Sequence, residues 1–205
     1  MSANEIPSWD SLFRLESTSC MENDRGWRQL KFVTSNVDKV REASDILGCP
    51  LEQVSGLKID EIQTNDIKKI VMHKARQAYD ELKYPVLVED SGLIFAAWDG
   101  LPGALIKWFE VSVGCHGLLK MLEGFENREA FAVCMAAVFN GREMLVAKGE
   151  KKGKIADSIR GENGFGWDVI FIPDPHEKTY AEMSSSEKNA ISHRRLAFEE
   201  LNRKI

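Results

Sequence analysis

Apolar positions along this chain fall into two patterns, short continuous or alternating runs that suit strands and three- and four-residue spacings that suit helices. The runs predict a strand over Gln29–Val33, broken by Thr34-Ser35-Asn36-Val37-Asp38-Lys39. A helix follows with Val40, Ala43 and Leu47 on one face and Gly48 as its stop. A polar segment containing Leu57–Ile62 leads to the clearest helical stripe, from Asn65 or Asp66 to Leu82, with Ile67, Ile70, Val71, Ala75, Ala78, Tyr79 and Leu82 on the core face. Tyr84-Pro85 opens a central strand, Val86-Leu87-Val88, read as ending in the carboxylates Glu89 and Asp90. Ser91-Gly92, an apolar run from Leu93 to Trp98, a Gly-Leu-Pro-Gly turn and an apolar segment carrying Lys107 come next. Gly114–Leu122 reads as a short helix and Ala130–Phe139 as a buried strand. Asn140-Gly141 signals a hairpin, with Glu143–Lys148 returning and Glu150–Lys154 a solvated basic edge. Val169–Ile172 reads as a brief strand. A last helix begins at Ser184, whose spacing to Glu187 makes a capping box, and runs unbroken to about Leu201.

Residues 1–28 have scattered aromatics without period. They are read as an N-terminal extension, partly disordered, with a short helix from Trp9 to Leu15; Met21 offers an alternative start. Residues 29–205 form the domain proper. A net charge of −5 argues against a general nucleic-acid or membrane-surface binder, yet leaves room for a small phosphorylated ligand met by a few lysines. The four cysteines, Cys20, Cys49, Cys115 and Cys134, contain no C-x-x-C pair and suggest neither a metal nor a disulfide framework, which favours a cytoplasmic setting; Cys134 is expected as a buried thiol.

Several groups are candidates for chemistry. A strand, a small polar turn and a helix N-terminus make Thr34–Lys39 a phosphate site without a Walker pattern, although most such turns are only turns and caps. Paired acids on a buried strand are costly without a cation, metal or proton to meet. Because strand neighbours face opposite sides, only one of Glu89 and Asp90 can face a given side. Lys74 sits at the edge of its helical stripe, either snorkelling or directed into a cleft. The loop Gly161–Asp168, GENGFGWD, combines glycines with two large rings, unusual unless the rings cover something flat.

The ordered phrases TSNVDK, EDSGL, GLPGALIKWF, FGWDVIF and TYAEMSSSEKNAISHR closely resemble the inosine triphosphate pyrophosphatase family over roughly Leu30–Leu201, with wording closest to its eukaryotic and archaeal branch. The resemblance implies an α/β fold, a long mixed β-sheet with flanking helices in two lobes around a nucleotide cleft, and a homodimer. It also implies hydrolysis of ITP, dITP and XTP to the monophosphate and pyrophosphate, sanitising the nucleotide pool. It assigns Thr34, Ser35, Asn36, Lys39, Lys74 and Lys107 to the triphosphate. Asp90 is assigned to metal binding or activation of water, with Ser91 beside it and Glu89 left as a supporting group. Glu61 is the second metal ligand, though alignment there is poor. Phe165, Gly166, Trp167, Asp168, Lys188, His193 and Arg194 fall at the base and ribose. Mg²⁺, with Mn²⁺ substituting, is the implied cofactor. Ser35 stands where the family has glycine, so shifted phosphate contacts are expected there. Arg194 and Lys188, donors without acceptors, suit a 6-oxo purine and reject adenine. A pyrophosphatase for modified pyrimidine nucleotides and a non-catalytic purine sensor are the competing readings; the FGWD and SHR blocks count against the first and Asp90 against the second.

Overall fold

The computed structural model describes residues 29–205, so the expectations for the extension, including the Trp9–Leu15 helix, lie outside the described residues. Seven strands form one mixed sheet: β1 (Lys31–Val33), β2 (Glu52–Val54), β3 (Val86–Phe95), β4 (Pro102–Gly103), β5 (Glu129–Phe139), β6 (Met144–Ile155) and β7 (Phe171–Pro173). Their order is β2-β1-β3-β5-β6-β7, with β4 also on β3. β1 runs parallel to β2 and β3, and every other pair is antiparallel. Among the described residues there are six helices: α1 (Val37–Leu47), α2 (Ile67–Leu82), α3 (Ile106–Ser112), α4 (Gly114–Leu122), α5 (Ser185–Ile191) and α6 (His193–Lys204).

The register of β3 explains where a cleft forms. One edge of β3 is paired with β5 along its whole length, from Val86 against Phe139 to Phe95 against Ala130. The other edge is split. β1 covers only Val86 and Leu87, and β4 covers only Leu93 and Ile94, so Val88–Gly92 has no strand beside it. The chain flanking this gap separates into two sides, with β1, β2, α1 and α2 on one and β4, α3 and α4 on the other.

Alternation along β3 and β5 sorts the interior. Leu87, Cys134, Ala136 and Val138 pack with Ala43 of α1 and with Ala197, Phe198 and Leu201 of α6. Farther along, Leu93, Phe95, Ala130 and Ala132 pack with Leu118 and Leu122 of α4 and with Trp167, Phe171 and Tyr180. Val86, Val88, Val133 and Met135 pack with Val71, Ala75 and Ala78 of α2 in a third cluster. In β3 the sequence Leu87, Glu89, Ser91, Leu93 thus sets two polar residues between two apolar clusters.

Four sequence expectations change. Glu89 and Asp90 lie inside a 10-residue strand, not at its end, because β5 pairs straight past them. β6 does not stop at Lys148. It continues to Ile155 because β5 offers partners throughout and β7 covers Gly153–Ile155, while Lys152 and Lys154 alternate outward to solvent. β2, too short to carry a period, went unread. The last helix is two: Ser192 is extended (φ −70°, ψ 156°) and its hydroxyl accepts from the Arg195 N–H, ending α5 and capping α6. Ser184 and Glu187 do form the expected capping box.

Candidate functional site

All the site residues singled out from sequence line one cleft of about 550 Å³ at the split edge of β3. Its two ends differ in construction.

At the first end, β1 runs into α1. Asn36 caps the helix, its Oδ1 accepting from the N–H groups of Asp38 (2.9 Å) and Lys39 (3.2 Å), while its own N–H donates to Thr34 Oγ1 (3.1 Å). Two of the N–H groups expected to face a phosphate are therefore occupied by the cap. Ser35 is not among the positive-φ residues, so serine stands there without backbone strain. Lys39 Nζ lies 2.8 Å from Glu89 and 3.7 Å from Asp90. Burial opposes its charge, but Glu89 and Asp90 outweigh that and its pKa is raised. Lys74 does point into the cleft. Burial, then the nearby Lys39, lowers its pKa against the pull of Asp90, Glu89 and Glu61. Across the gap, Lys107 of α3 meets Glu61 at 3.5 Å, with both side chains about two-thirds exposed (66% and 64%). Asp90, 27% exposed, makes only this long contact to Lys39 among the ion pairs of the described residues.

At the second end the charges are buried and tightly paired. Arg194, at 1% exposure, donates from Nε to Glu89 Oε2 (3.0 Å), from Nη2 to Glu89 Oε1 (3.4 Å) and Ser91 Oγ (3.2 Å), and from Nη1 to Glu42. Lys188, at 3% exposure, donates to Glu42 Oε1 (2.6 Å) and Asp168 Oδ2 (2.5 Å). Burial alone would raise the Glu89 pKa; Arg194 and Lys39 instead hold it far below the usual carboxylate range. Cys134, a buried thiol as expected, donates to Glu89 Oε2 at 3.1 Å. Asp168 turns back to accept from the Phe165 N–H (2.8 Å), which closes the loop carrying Phe165.

Gly149 brings these charges to β3. A Cβ there would sit 2.0 Å from the His193 carbonyl and 2.3 Å from the Ala197 nitrogen, so glycine lets the start of α6 lie directly on β6.

The aromatic residues divide. Phe165 is half-buried, with Lys188 Nζ 4.8 Å and the Arg194 guanidinium carbon 5.6 Å from its ring centre. Trp167 is buried against Phe171, Tyr180 and His193. Of the two rings expected to cover something flat, Trp167 covers the protein's own core. His193 is fully buried, stacked on Tyr180 at 5.9 Å. Burial, then Arg194 and Lys188, push its pKa well below 6.5, so it is a neutral ring at neutral pH.

Glu42 and Glu110 were not read from sequence. Glu42 follows Lys39 by three positions on α1, and a carboxylate beside the buried Ala43 was the available sign. Glu110 follows Lys107 by three positions on α3 and so shares its side of the helix.

Among the described residues no cluster of three or more His, Cys, Asp or Glu side chains is placed to hold a metal. Glu61 and Asp90 both act on Lys74 electrostatically, which puts two hard oxygen donors around the same cleft end. That donor set suits an ion that takes one or two carboxylates and completes its shell with water and phosphate. No helix among the described residues is long and apolar enough to cross a membrane.

Comparison with known proteins gives one answer. Residues 30–204 match the sequence model of the Ham1 family. The inosine triphosphate pyrophosphatase of Yarrowia lipolytica is 45% identical over 173 residues, covering 83% of this chain and 92% of that protein. That of Kluyveromyces lactis is 43% identical over 182 residues, covering 84% and 93%. A solved HAM1 protein from Coxiella burnetii superimposes with a TM-score of 0.73 at 30% identity, covering 85% of this chain and 98% of that one.

Proposed function

The chain belongs to the Ham1 family, and from that premise we propose as its function the hydrolysis of the non-standard purine nucleotides ITP, dITP and XTP to the monophosphate and pyrophosphate. It is a hydrolase of acid anhydrides. The observation that carries the reading is the cleft itself, where Lys39, Lys74 and Lys107 gather at one end with Asp90 among them, and Lys188 and Arg194 lie at the other. A nucleotide matches this layout, with its triphosphate on the lysine end and its base on the buried network.

In this reading water attacks the α-phosphorus, the bond from that phosphorus to the bridging oxygen breaks, and pyrophosphate leaves. Asp90 orients the water and takes its proton, a role for which its partly exposed position in the open gap suits it. Lys39 stays charged and balances the phosphate oxygens; burial and Lys39 disfavour the charge on Lys74, and a triphosphate beside it favours that charge again. Mg²⁺, with Mn²⁺ able to replace it, would be held by Glu61 and Asp90 and would supply charge neutralisation at the phosphates. At the base end, the hydrogen bonds within the protein engage two of the three Lys188 donors and four of the five on Arg194, leaving each with one for a purine O6. Neither can accept from the 6-amino group of adenine, so ATP is rejected. We place the enzyme in the cytoplasm as a homodimer, in keeping with its cysteine usage and its resemblance to the family.

A panel of ITP, dITP, XTP, GTP and ATP with product identification, run with and without Mg²⁺, tests this. Pyrophosphate released from the first three only in the presence of the metal is the expected result; orthophosphate as product would refute the reading.

A further inference from the structure

Glu110 is an acid of the cleft that has no part in this chemistry. It lies on α3 and lines the cleft, and its Oε1 is buried against the aromatic loop with no side-chain hydrogen-bond partner among the described residues. It rests on the aromatic loop: a Cβ on Gly166 would come within 2.7 Å of Oε1, and Gly166 holds φ 61°, so glycine at this position both makes the turn and leaves the carboxyl its space. The charged groups around it come from several elements. Asp168 belongs to the base end and Lys39 to the phosphate end, Cys115 approaches from α4, and Lys107 on its own helix turns away to Glu61. Glu110 therefore stands between the two ends, where a bound nucleotide carries its sugar.

The chemistry of the three parts of a nucleoside triphosphate narrows the match. The phosphates repel a carboxylate, and the purine O6 is an acceptor that offers it nothing. The ribose hydroxyls are uncharged donors, and a carboxyl group with no side chain donating to it has acceptor capacity left for them. We propose that Glu110 is a specificity-determining residue that accepts a hydrogen bond from the ribose hydroxyls of the substrate. The assignment rests on the nucleotide-pyrophosphatase reading above.

Burial, then Asp168, pushes the Glu110 pKa up to about 7, against the opposing pull of Lys39 and the Trp167 backbone. Below that pH the carboxyl is neutral and a weaker acceptor, so recognition of the sugar should strengthen as the pH rises through 7.

The test compares kcat/KM for ITP with that for 2′,3′-dideoxy-ITP in the unmodified protein, Glu110→Gln and Glu110→Leu, across a pH series. A hydrogen bond to a charged acceptor is worth about tenfold or more. The preference for the hydroxylated sugar should therefore shrink by about that factor in Glu110→Leu and by less in Glu110→Gln. It should rise with pH in the unmodified protein and stay flat in both variants. A merely structural role would depress both substrates alike and leave their ratio unchanged. An unchanged ratio, or a pH-independent one in the unmodified protein, would overturn the assignment. If the unmodified protein releases no pyrophosphate from either nucleotide, the parent reading falls and takes this one with it.

Discussion

The two ends of the cleft use the same kinds of side chain in opposite ways. At the phosphate end Lys107 meets Glu61 across the cleft at 3.5 Å with both side chains about two-thirds exposed, and Asp90 has only a long contact, 3.7 Å, to Lys39. At the base end Lys188 and Arg194 sit at 3% and 1% exposure with Glu42, Glu89 and Asp168 within hydrogen-bond reach. Exposed pairs contribute about 0–1 kcal/mol and are easily exchanged for a ligand. Buried pairs are costly to assemble, and removing one partner leaves an uncompensated charge at about 3–5 kcal/mol. The phosphate end is thus built for exchange and the base end for shape. Substitutions at the first should change turnover and leave the fold alone; substitutions at the second should damage the fold.

The sharpest way to break this contrast is Asp90→Asn. It should lower kcat by about a thousandfold, within the range that positioned acid–base groups supply, and leave the midpoint of urea unfolding where it was. Next in size, Glu89→Gln strips Arg194 and Lys39 of their shared partner and should cost about 3–5 kcal/mol in urea unfolding. The Glu89 carboxyl is held far below its unfolded value of 4.5, so its contribution is present above about pH 4.5 and is lost as the pH falls below that. The unmodified protein should lose stability in that acid range, and Glu89→Gln should lose less.

A smaller effect is expected of Lys107→Ala. Its side chain is two-thirds exposed, so stability should not move, while KM should rise several-fold and depend less steeply on added salt. Smallest is the stability change on Glu110→Gln. The carboxyl is raised to about 7, so the proton it holds in the fold is favourable below about pH 4.5 and its contribution is lost as the pH rises through 7. The variant should gain about 1 kcal/mol relative to the unmodified protein between pH 5 and pH 8, a figure discounted for partial exposure. An opposite sign would remove Glu110 from its desolvated position on the loop.

Much of this layout was legible in the sequence because it is local. The stripe of Ile67, Val71, Ala75 and Ala78 announces α2, Gly48 ends α1 in the left-handed conformation, and Gly114–Leu122 is a helix with the expected bounds. What was not legible depends on distant partners. Nothing in Glu-Gln-Val marks β2, which exists because β1 offers it an edge. Ser192 continues a helical spacing perfectly well, and only packing of α6 on β6 through Gly149 requires the break. Glu42 and Glu110 are acids on short helices, and apart from the buried Ala43 beside Glu42 nothing in the local pattern separates them from solvated ones. Their roles come from Arg194, 152 residues away in the first case, and from Gly166 in the second. The motifs brought forward Arg194, Lys188, Asp168 and Glu89 but not Glu42, nor the bonds that already join them, so the base end is more nearly complete without a ligand than the sequence suggested.

The account stands most directly on one measurement, pyrophosphate release from dITP by Asp90→Asn at saturating Mg²⁺, with dITP binding and the urea midpoint determined on the same protein. Release near a thousandth of the unmodified rate, with binding and stability intact, is the predicted result. Release at the unmodified rate, or loss of turnover only through unfolding, would contradict it.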